Sequence, residues 1–249
     1  MTFKKRAFQI FWWLEKKIDP GVVSSQNRYA EVLTSYVQPD SVWLDLGCGH
    51  ALFPDWVAGQ NELIKRAKFV VGVDYDQPSL KKNRQIRYLL AGDVNGLPFR
   101  SASFNLVTAN MVVEHLNDPK RAMLEIHRVI TTGGHFIYHT PNRRFYATTI
   151  ASFVPQRLKN QVVEWSEGRP AEDVFPTYYR MNDLKSVQEL ARSCGFRVVT
   201  CLSLNTSAAG NILVLGPLVV IELMIRRLLR WNLFRGFRSN LIIVLQKDS

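Results

Sequence analysis

Four short apolar runs, each closed by a glycine, an acid or an amide, constrain this chain most. Ser41–Leu46 runs into Gly47-Cys48-Gly49, Phe69–Val73 ends at Asp74, Leu89-Leu90 ends at Gly92-Asp93, and Phe104–Ala109 ends at Asn110. Ser41–Leu46 reads as a buried strand, Phe69–Val73 and Phe104–Ala109 as further apolar strands, and Leu89-Leu90 as a short one between them. Between them the pattern turns helical: Gln26–Tyr36, a helix from Gly49 to about Ala58, Pro78–Arg87, and Asp118–Ile130 with Pro119 in its first turn. Gly133-Gly134 predicts a turn into a strand over His135–His139. Strands that alternate with helices imply a parallel sheet covered on both faces.

After Pro141 the alternation breaks. Residues 142–182 hold Arg143, Arg144, Arg157, Arg169 and Arg180 among prolines and aromatics, and read as an inserted cap. Asp183–Cys194 returns as a helix with Gly195 as its C-cap, and Phe196–Leu204 and Leu241–Gln246 predict the last strands.

At 249 residues, 47% hydrophobic and 21% charged, the chain is globular, which excludes disorder, collagen and a disulfide-stapled miniprotein. Its net charge of +11 favours acidic partners. Most of that charge lies in residues 1–17 and 212–238, where Lys and Arg alternate with Leu, Ile, Phe and Trp. A nucleic-acid patch would spread its cations over polar surface, so this mixture points to a membrane surface. Cys48, Cys194 and Cys201 form no metal-ligand pattern, and no metal is expected; so few scattered cysteines suit a reducing cytoplasm. The N-terminus lacks the uninterrupted apolar region and small-residue cleavage site of a signal peptide. The longest apolar run, Ile212–Ile221, is too short for a bilayer, which takes roughly 20 residues.

The chemistry gathers at the strand ends. Glycines after a buried strand let the backbone turn sharply and let a ligand approach it closely, although Asp45-Leu46-Gly47-Cys48-Gly49 alone is equally a tight strand–helix turn. Leu52 stands where a dinucleotide site prefers a third glycine, which argues against a nicotinamide enzyme. Asp74 offers a carboxylate for two ribose hydroxyls, and Asp93-Val94 pairs a side-chain acceptor with a backbone donor, which suits an adenine edge. With Asn110, these groups fall at the carboxyl ends of successive strands, where open parallel sheets bind ligands.

In VWLDLGCG, VVGVDYD, AGDVNGLPFRSASFNLVTANMVVEHLND and EIHRVITTGGHFIYHTPN, the stretch Ser41–Asn142 resembles the class I S-adenosylmethionine-dependent methyltransferases, specifically the small-molecule group that includes quinone-biosynthesis methyltransferases. The resemblance implies an α/β, Rossmann-like, mostly parallel seven-stranded sheet with helices on both faces, and S-adenosyl-L-methionine as cofactor. The expected organisation is a single domain over 1–249: N-terminal helices 1–40, cofactor-binding core 41–141, cap insertion 142–182, core 183–206, an apolar basic helical insertion 207–238, and a last strand 239–249. The resemblance places Gly47 and Gly49, with Asp45 and Cys48 in the same turn, at the methionine part of the cofactor. It places Asp74, next to Tyr75, at the ribose, Asp93 and Val94 at the adenine, and Asn110 by the methionine chain; Tyr29 is expected, from its position only, to reach the cofactor carboxylate. Ala51 replaces a third glycine found in many members, and Thr131-Thr132 replaces the usual Lys-Pro before Gly-Gly.

The sulfonium makes methyl a good electrophile, so in-line placement of the acceptor supplies most of the rate. A hydroxyl acceptor also gains from a base, roughly 10²–10⁴-fold. His115 is the candidate base, against its reading as a residue that fixes the loop; His139 is weaker. The cap arginines either meet an anionic substrate or form a solvated face.

Gly216-Pro217 can open a helix in which Glu222, Arg226 and Arg230 recur every fourth residue and apolar residues fill the rest. Such a helix buries against the domain, packs in a dimer, or lies in a membrane interface. The expected protein is a cytoplasmic methyltransferase, peripheral at the inner face of the membrane, acting on a small amphipathic or lipid-linked acceptor. The alternatives are a soluble sugar or other small acceptor, an RNA methyltransferase (nucleic acid is disfavoured, with no attached binding module), and a non-catalytic assembly protein. The sequence leaves the acceptor atom and the oligomeric state open.

Overall fold

In the computed structural model, residues 3–154, 175–206 and 218–248 are described. Two compact units are present. Unit 1 comprises Met1–Ser25, Asn142–Thr177 and Ser203–Asn240; unit 2 comprises Gln26–Pro141, Tyr178–Leu202 and Leu241–Ser249.

Unit 2 is built on a seven-stranded sheet in the order β3-β2-β1-β4-β5-β7-β6. The strands are β1 (Val42–Leu46), β2 (Phe69–Asp74), β3 (Tyr88–Ala91), β4 (Phe104–Asn110), β5 (Ile130–Pro141), β6 (Phe196–Leu204) and β7 (Asn240–Lys247). β3-β2, β2-β1, β1-β4 and β4-β5 all pair parallel. β7 runs against its neighbours: Gln246, near its end, donates to the Gly133 carbonyl near the start of β5 (2.7 Å), and Asp248 N–H donates to Gly195, just before β6 (3.1 Å). β4 is buried over most of its length, as its unbroken apolar run requires.

Helices α2 (Ser25–Tyr36), α3 (Gln60–Arg66), α4 (Gln77–Lys82), α5 (Pro119–Val129) and α7 (Leu184–Ser193) flank the sheet, and α1 (Phe3–Ile18), α6 (Tyr146–Phe153) and α8 (Val219–Leu228) belong to unit 1. α5 and α7 are capped by Asp118 and Asp183, which accept from the N–H groups of Arg121 and Ser186 at 3.1 Å. On α5, Ala122, Met123, Ile126 and Val129 form the stripe that buries against Phe104, Phe136 and Ile130 in the main core.

Three local expectations change. Residues 50–59 form turns, and the helix starts only at Gln60: Pro54 interrupts the run, Gly59 sits left-handed at φ 82°, and Leu52, Phe53 and Val57 are buried from a loop. The helix expected over 78–87 stops at Lys82, because Asn83 turns the chain and its Oδ1 accepts from the N–H groups of Gln85 and Ile86. Gly133-Gly134 lies inside β5: Phe104 pairs with Ile130 and Leu106 with His135, so extra residues bulge out of the ladder, with Gly133 at φ 76°.

In unit 1, α1 and α8 meet through Phe11, Val219 and Leu223, with Leu14 and Ile18 beside them. Residues 155–174, most of the expected cap, and the 207–217 start of the helical insertion, Gly216-Pro217 included, lie outside the described residues. Among the described residues, no helix is long and apolar enough to cross a membrane.

Candidate functional site

The parallel strands bring the predicted residues to one edge of unit 2. Leu46 is in register with Val73 on one side and Ala109 on the other, Asp74 with Ala91, and Asn110 with His139. The residues that follow β1, β2, β3 and β4 therefore line up along the carboxyl edge.

The turn after β1 is drawn down onto β2. Gly47 and Cys48 donate their N–H groups to the Val73 carbonyl at 2.7 and 3.2 Å, and Gly49 N–H donates to Asp74 Oδ2 at 2.8 Å. Gly47 has φ 63°, and a Cβ there would lie 2.3 Å from Val112 Cγ2, so only glycine fits without displacing the segment after β4. Gly49 has φ 47°, and a Cβ there would meet no heavy atom within 4 Å. The loop is thus packed beneath Gly47 and open at Gly49, the shape a closely approaching ligand needs. Cys48 offers only backbone: its side chain is buried, its Sγ is near Gly72, and burial pushes its thiol well above the usual range.

Asp74 Oδ1 accepts from Asp76 N–H at 2.8 Å. With Gly49 on Oδ2, each oxygen takes one backbone donor, and a carboxylate's remaining lone pairs suffice for two hydroxyls. Tyr75 is exposed beside it, its hydroxyl pKa raised by partial burial and by Asp74 and Asp76. Asp93 is exposed; its Oδ1 accepts from the backbone N–H and the amide of Asn95, both at 2.9 Å, while Val94 packs against the core.

Asp45 lies beneath this edge. It is buried and accepts from Thr108 Oγ1 at 2.5 Å, and Thr108 in turn accepts from the Trp43 indole at 2.6 Å. Burial, opposed by the Thr108 bond and aided by Asp74, raises its carboxyl to about 7. Asp45 is thus tied to β4 and buried, and it does not present its carboxylate to the turn as the resemblance led one to expect.

Asn110 is held on three sides. Its amide donates to Gln26 Oε1 (2.9 Å) and, more weakly, to the Leu52 carbonyl (3.4 Å), and its Oδ1 lies 3.0 Å from His139 Nδ1. Met111 follows at φ 58°, a left-handed position rare for a residue with a side chain; its N–H donates to the His139 carbonyl. Backbone strain of this kind clusters at functional sites.

Two expectations are corrected. Tyr29 does not reach out to a ligand: it is fully buried, with its hydroxyl 3.3 Å from the carbonyls of Ala109 and Ile137, where it props up β4 and β5. His139 is unsuited to act as a base near neutrality, because burial lowers it to about 4. His115 is half-buried at the end of the 3-10 turn Val113–His115 that follows β4. Of the cap arginines, Arg144 lies over the Phe237 ring and Arg180 donates to the Asn117 carbonyl at 2.5 Å; Arg157 and Arg169 lie outside the described residues.

Two supporting groups carry no local signal in the sequence. Asn83 Nδ2 donates to the Gly49 carbonyl at 3.0 Å and fixes the glycine turn from the far end of α4. Glu114 is buried and accepts from Thr140 Oγ1 at 2.9 Å, and Thr140 accepts from Asn182 at 2.5 Å. Burial raises Glu114 to about 7, against the bonds from backbone and Thr140. Its carbonyl also accepts from Tyr178 and Tyr179 N–H at 2.7 and 3.2 Å, which ties the segment before α7 to the end of β4. Among the described residues, no cluster of His, Cys, Asp and Glu is placed to hold a metal.

Comparison with known proteins points to a family. A family model described as a methyltransferase domain matches residues 44–138, from β1 to β5. Residues 44–138 thus match a methyltransferase domain, and the likeness is to the class I S-adenosylmethionine-dependent methyltransferases. A probable S-adenosylmethionine-dependent methyltransferase of Mycolicibacterium smegmatis is 29% identical over 159 residues, 62% of this chain and 51% of that protein. A demethylmenaquinone methyltransferase of Staphylococcus epidermidis is 33% identical over 143 residues, 53% of this chain and 58% of that protein. The matches thus span only about half the length of these relatives. The crystal structure of an S-adenosylmethionine-dependent methyltransferase from Mesorhizobium loti superposes with a TM-score of 0.54 at 16% identity, covering 87% of this chain and 96% of that one. At that identity the likeness concerns the fold, which is the methyltransferase fold. The methyltransferase family implies S-adenosyl-L-methionine as cofactor.

Proposed function

We propose that this protein transfers the methyl group of S-adenosylmethionine to a small, amphipathic or lipid-linked acceptor at the cytoplasmic surface of a membrane. The observation that carries the cofactor part is the juxtaposition of the open glycine turn, Asp74, Asp93 and Asn110 along one sheet edge. In this reading Gly47, Cys48 and Gly49 present backbone to the methionine part, and Asn110 lies beside its chain. Asp74 accepts the two ribose hydroxyls with Tyr75 alongside, and Asp93 with the Val94 N–H meets the adenine edge. Asn83 holds the turn in shape. The bound cofactor supplies an electrophilic methyl on a sulfonium, so the protein's task is to align the acceptor. His115 is the candidate to take a proton from a hydroxyl acceptor.

The acceptor class rests on chemistry elsewhere in the chain. Unit 1 exposes large apolar and basic residues together, which favours a membrane-surface acceptor over a freely soluble sugar. The similarity to a protein named demethylmenaquinone methyltransferase supports a lipophilic ring acceptor.

Two measurements test this. Asp74→Asn removes the anionic acceptor and should weaken binding of S-adenosylhomocysteine in calorimetry by about 1–3 kcal/mol, the scale for a bond to a charged group; unchanged affinity takes Asp74 out of the ribose role. Methyl-labelled cofactor incubated with protein and a cell extract should place label in the organic phase. Label confined to the aqueous phase refutes the amphipathic acceptor.

A further inference from the structure

Helix α8 is turned inside out. Its inward stripe is Val219, Glu222, Leu223 and Arg226, each 4% exposed or less. Arg226 Nε and Nη2 donate to Glu222 Oε1 at 3.0 and 2.7 Å, Nη1 donates to the Thr206 carbonyl at 2.7 Å, and the guanidinium lies over the Phe145 ring. The outward stripe is apolar: Leu218, Ile221, Met224, Ile225 and Leu228 recur at three- and four-residue spacing, and Trp231 follows. Five of these six are about half exposed or more, between 49% and 63%, and Ile225 is 37% exposed. A contiguous apolar face of this kind marks an interaction surface.

The surrounding charge says what covers it. Unit 1 holds 15 Lys and Arg against seven Asp and Glu. Among its described residues the carboxylates are Glu15, Asp19 and Glu222, and all three are buried. Arg6, Lys16, Lys17, Arg227 and Arg235 are exposed. The exposed charge of the described part of unit 1 is therefore wholly positive. A second copy of this face would bring cation against cation with no exposed carboxylate among the described residues of unit 1 to answer it, and a nucleic acid would leave the leucines and isoleucines in water. An anionic lipid surface satisfies both: the apolar stripe enters the acyl boundary, Trp231 sits at headgroup level, and the arginines stay at the phosphates.

We propose that the outward face of α8, continued by Trp231, is a docking surface for bilayers containing anionic lipid. This deepens the membrane part of the reading above and does not depend on methyl transfer, because vesicle binding and cofactor binding are measured separately on the same protein. The full chain is sedimented with vesicles of phosphatidylcholine alone and with vesicles containing phosphatidylglycerol, at low and high salt. Binding is expected to the anionic vesicles and to weaken in high salt. Ile221→Ser with Leu228→Ser should lower it about a hundredfold, from the loss of two buried apolar side chains. Arg235→Gln should lower it about fivefold, the share of one cation near the surface. Both variants change exposed residues, and retained circular dichroism and S-adenosylhomocysteine affinity show that they are folded. The proposal is overturned if the wild type ignores anionic vesicles, if it binds both kinds equally, if the variants bind like the wild type, or if the double substitution instead dissolves a dimer in sedimentation velocity. Loss of S-adenosylhomocysteine affinity with vesicle binding intact refutes the methyltransferase reading alone.

Discussion

Replacing Glu114 by glutamine should stabilise the protein, and by an amount that grows with pH. The carboxyl is buried, with its Oε2 on the Thr140 hydroxyl, and burial raises it from 4.5 to about 7. The folded state thus holds the proton more tightly than the unfolded one. Stability from this group is fully present below pH 4.5 and is lost as pH rises from there through 7. The shift corresponds to a penalty of about 3 kcal/mol by pH 8, when the folded protein must carry a buried carboxylate, and of about 1 kcal/mol at pH 5. Glutamine keeps the acceptor for Thr140 and never ionises. Asp45 is raised in the same direction and gives the wild type a further slope. That slope is common to both proteins and cancels in their difference. The assay is thermal unfolding of wild type and Glu114→Gln at pH 5, 6, 7 and 8. The gap in midpoint should widen by several degrees across that range, at roughly 2–4 °C per kcal/mol for a chain of this size. A gap that stays constant with pH would mean that Glu114 is ionised or hydrated in the fold, and would refute the burial reasoning.

Gly47→Ala places a Cβ 2.3 Å from Val112 Cγ2 at a positive φ, so it should cost about 1–3 kcal/mol in chemical denaturation and abolish calorimetric cofactor binding; a variant that binds normally would show that the turn is free to shift. Glu222→Gln leaves Arg226 buried without its counter-charge and should destabilise unit 1 by about 3–5 kcal/mol, seen as an early transition in thermal unfolding. Cys48, buried and with its thiol raised, should resist iodoacetamide at pH 8 in the folded protein and react once urea is added; rapid alkylation of the native protein would contradict its burial.

The strand edge was legible in the sequence because its signal is local. An apolar run followed by glycine, aspartate or asparagine states both the strand and where it stops, and the parallel pairing then brings Gly47, Asp74, Asp93 and Asn110 together. The stretch 50–59 misled because Leu52, Phe53, Trp56 and Val57 have helical spacing, while Pro54 and Gly59 prevent the helix. The supports are long-range: Asn110 meets Gln26 and His139, Glu114 meets Thr140, and Thr140 meets Asn182, across separations that no periodicity encodes. Tyr29 was placed by position alone, and burial decided otherwise. In α8 the spacing of Glu222, Arg226 and Arg230 defined a polar stripe, but periodicity says that a helix has two faces and not which one is inside. The Thr206 carbonyl and the Phe145 ring, both remote in sequence, decided that.

The inverted helix also changes how unit 1 responds to heat. An ordinary amphipathic helix hides apolar surface when folded and releases it to water on melting, which raises the heat capacity. In α8 much of the apolar surface is already wet, and melting newly hydrates an ion pair, which lowers it. This helix therefore adds little to the curvature of unit 1's stability profile or to the steepness of its urea titration.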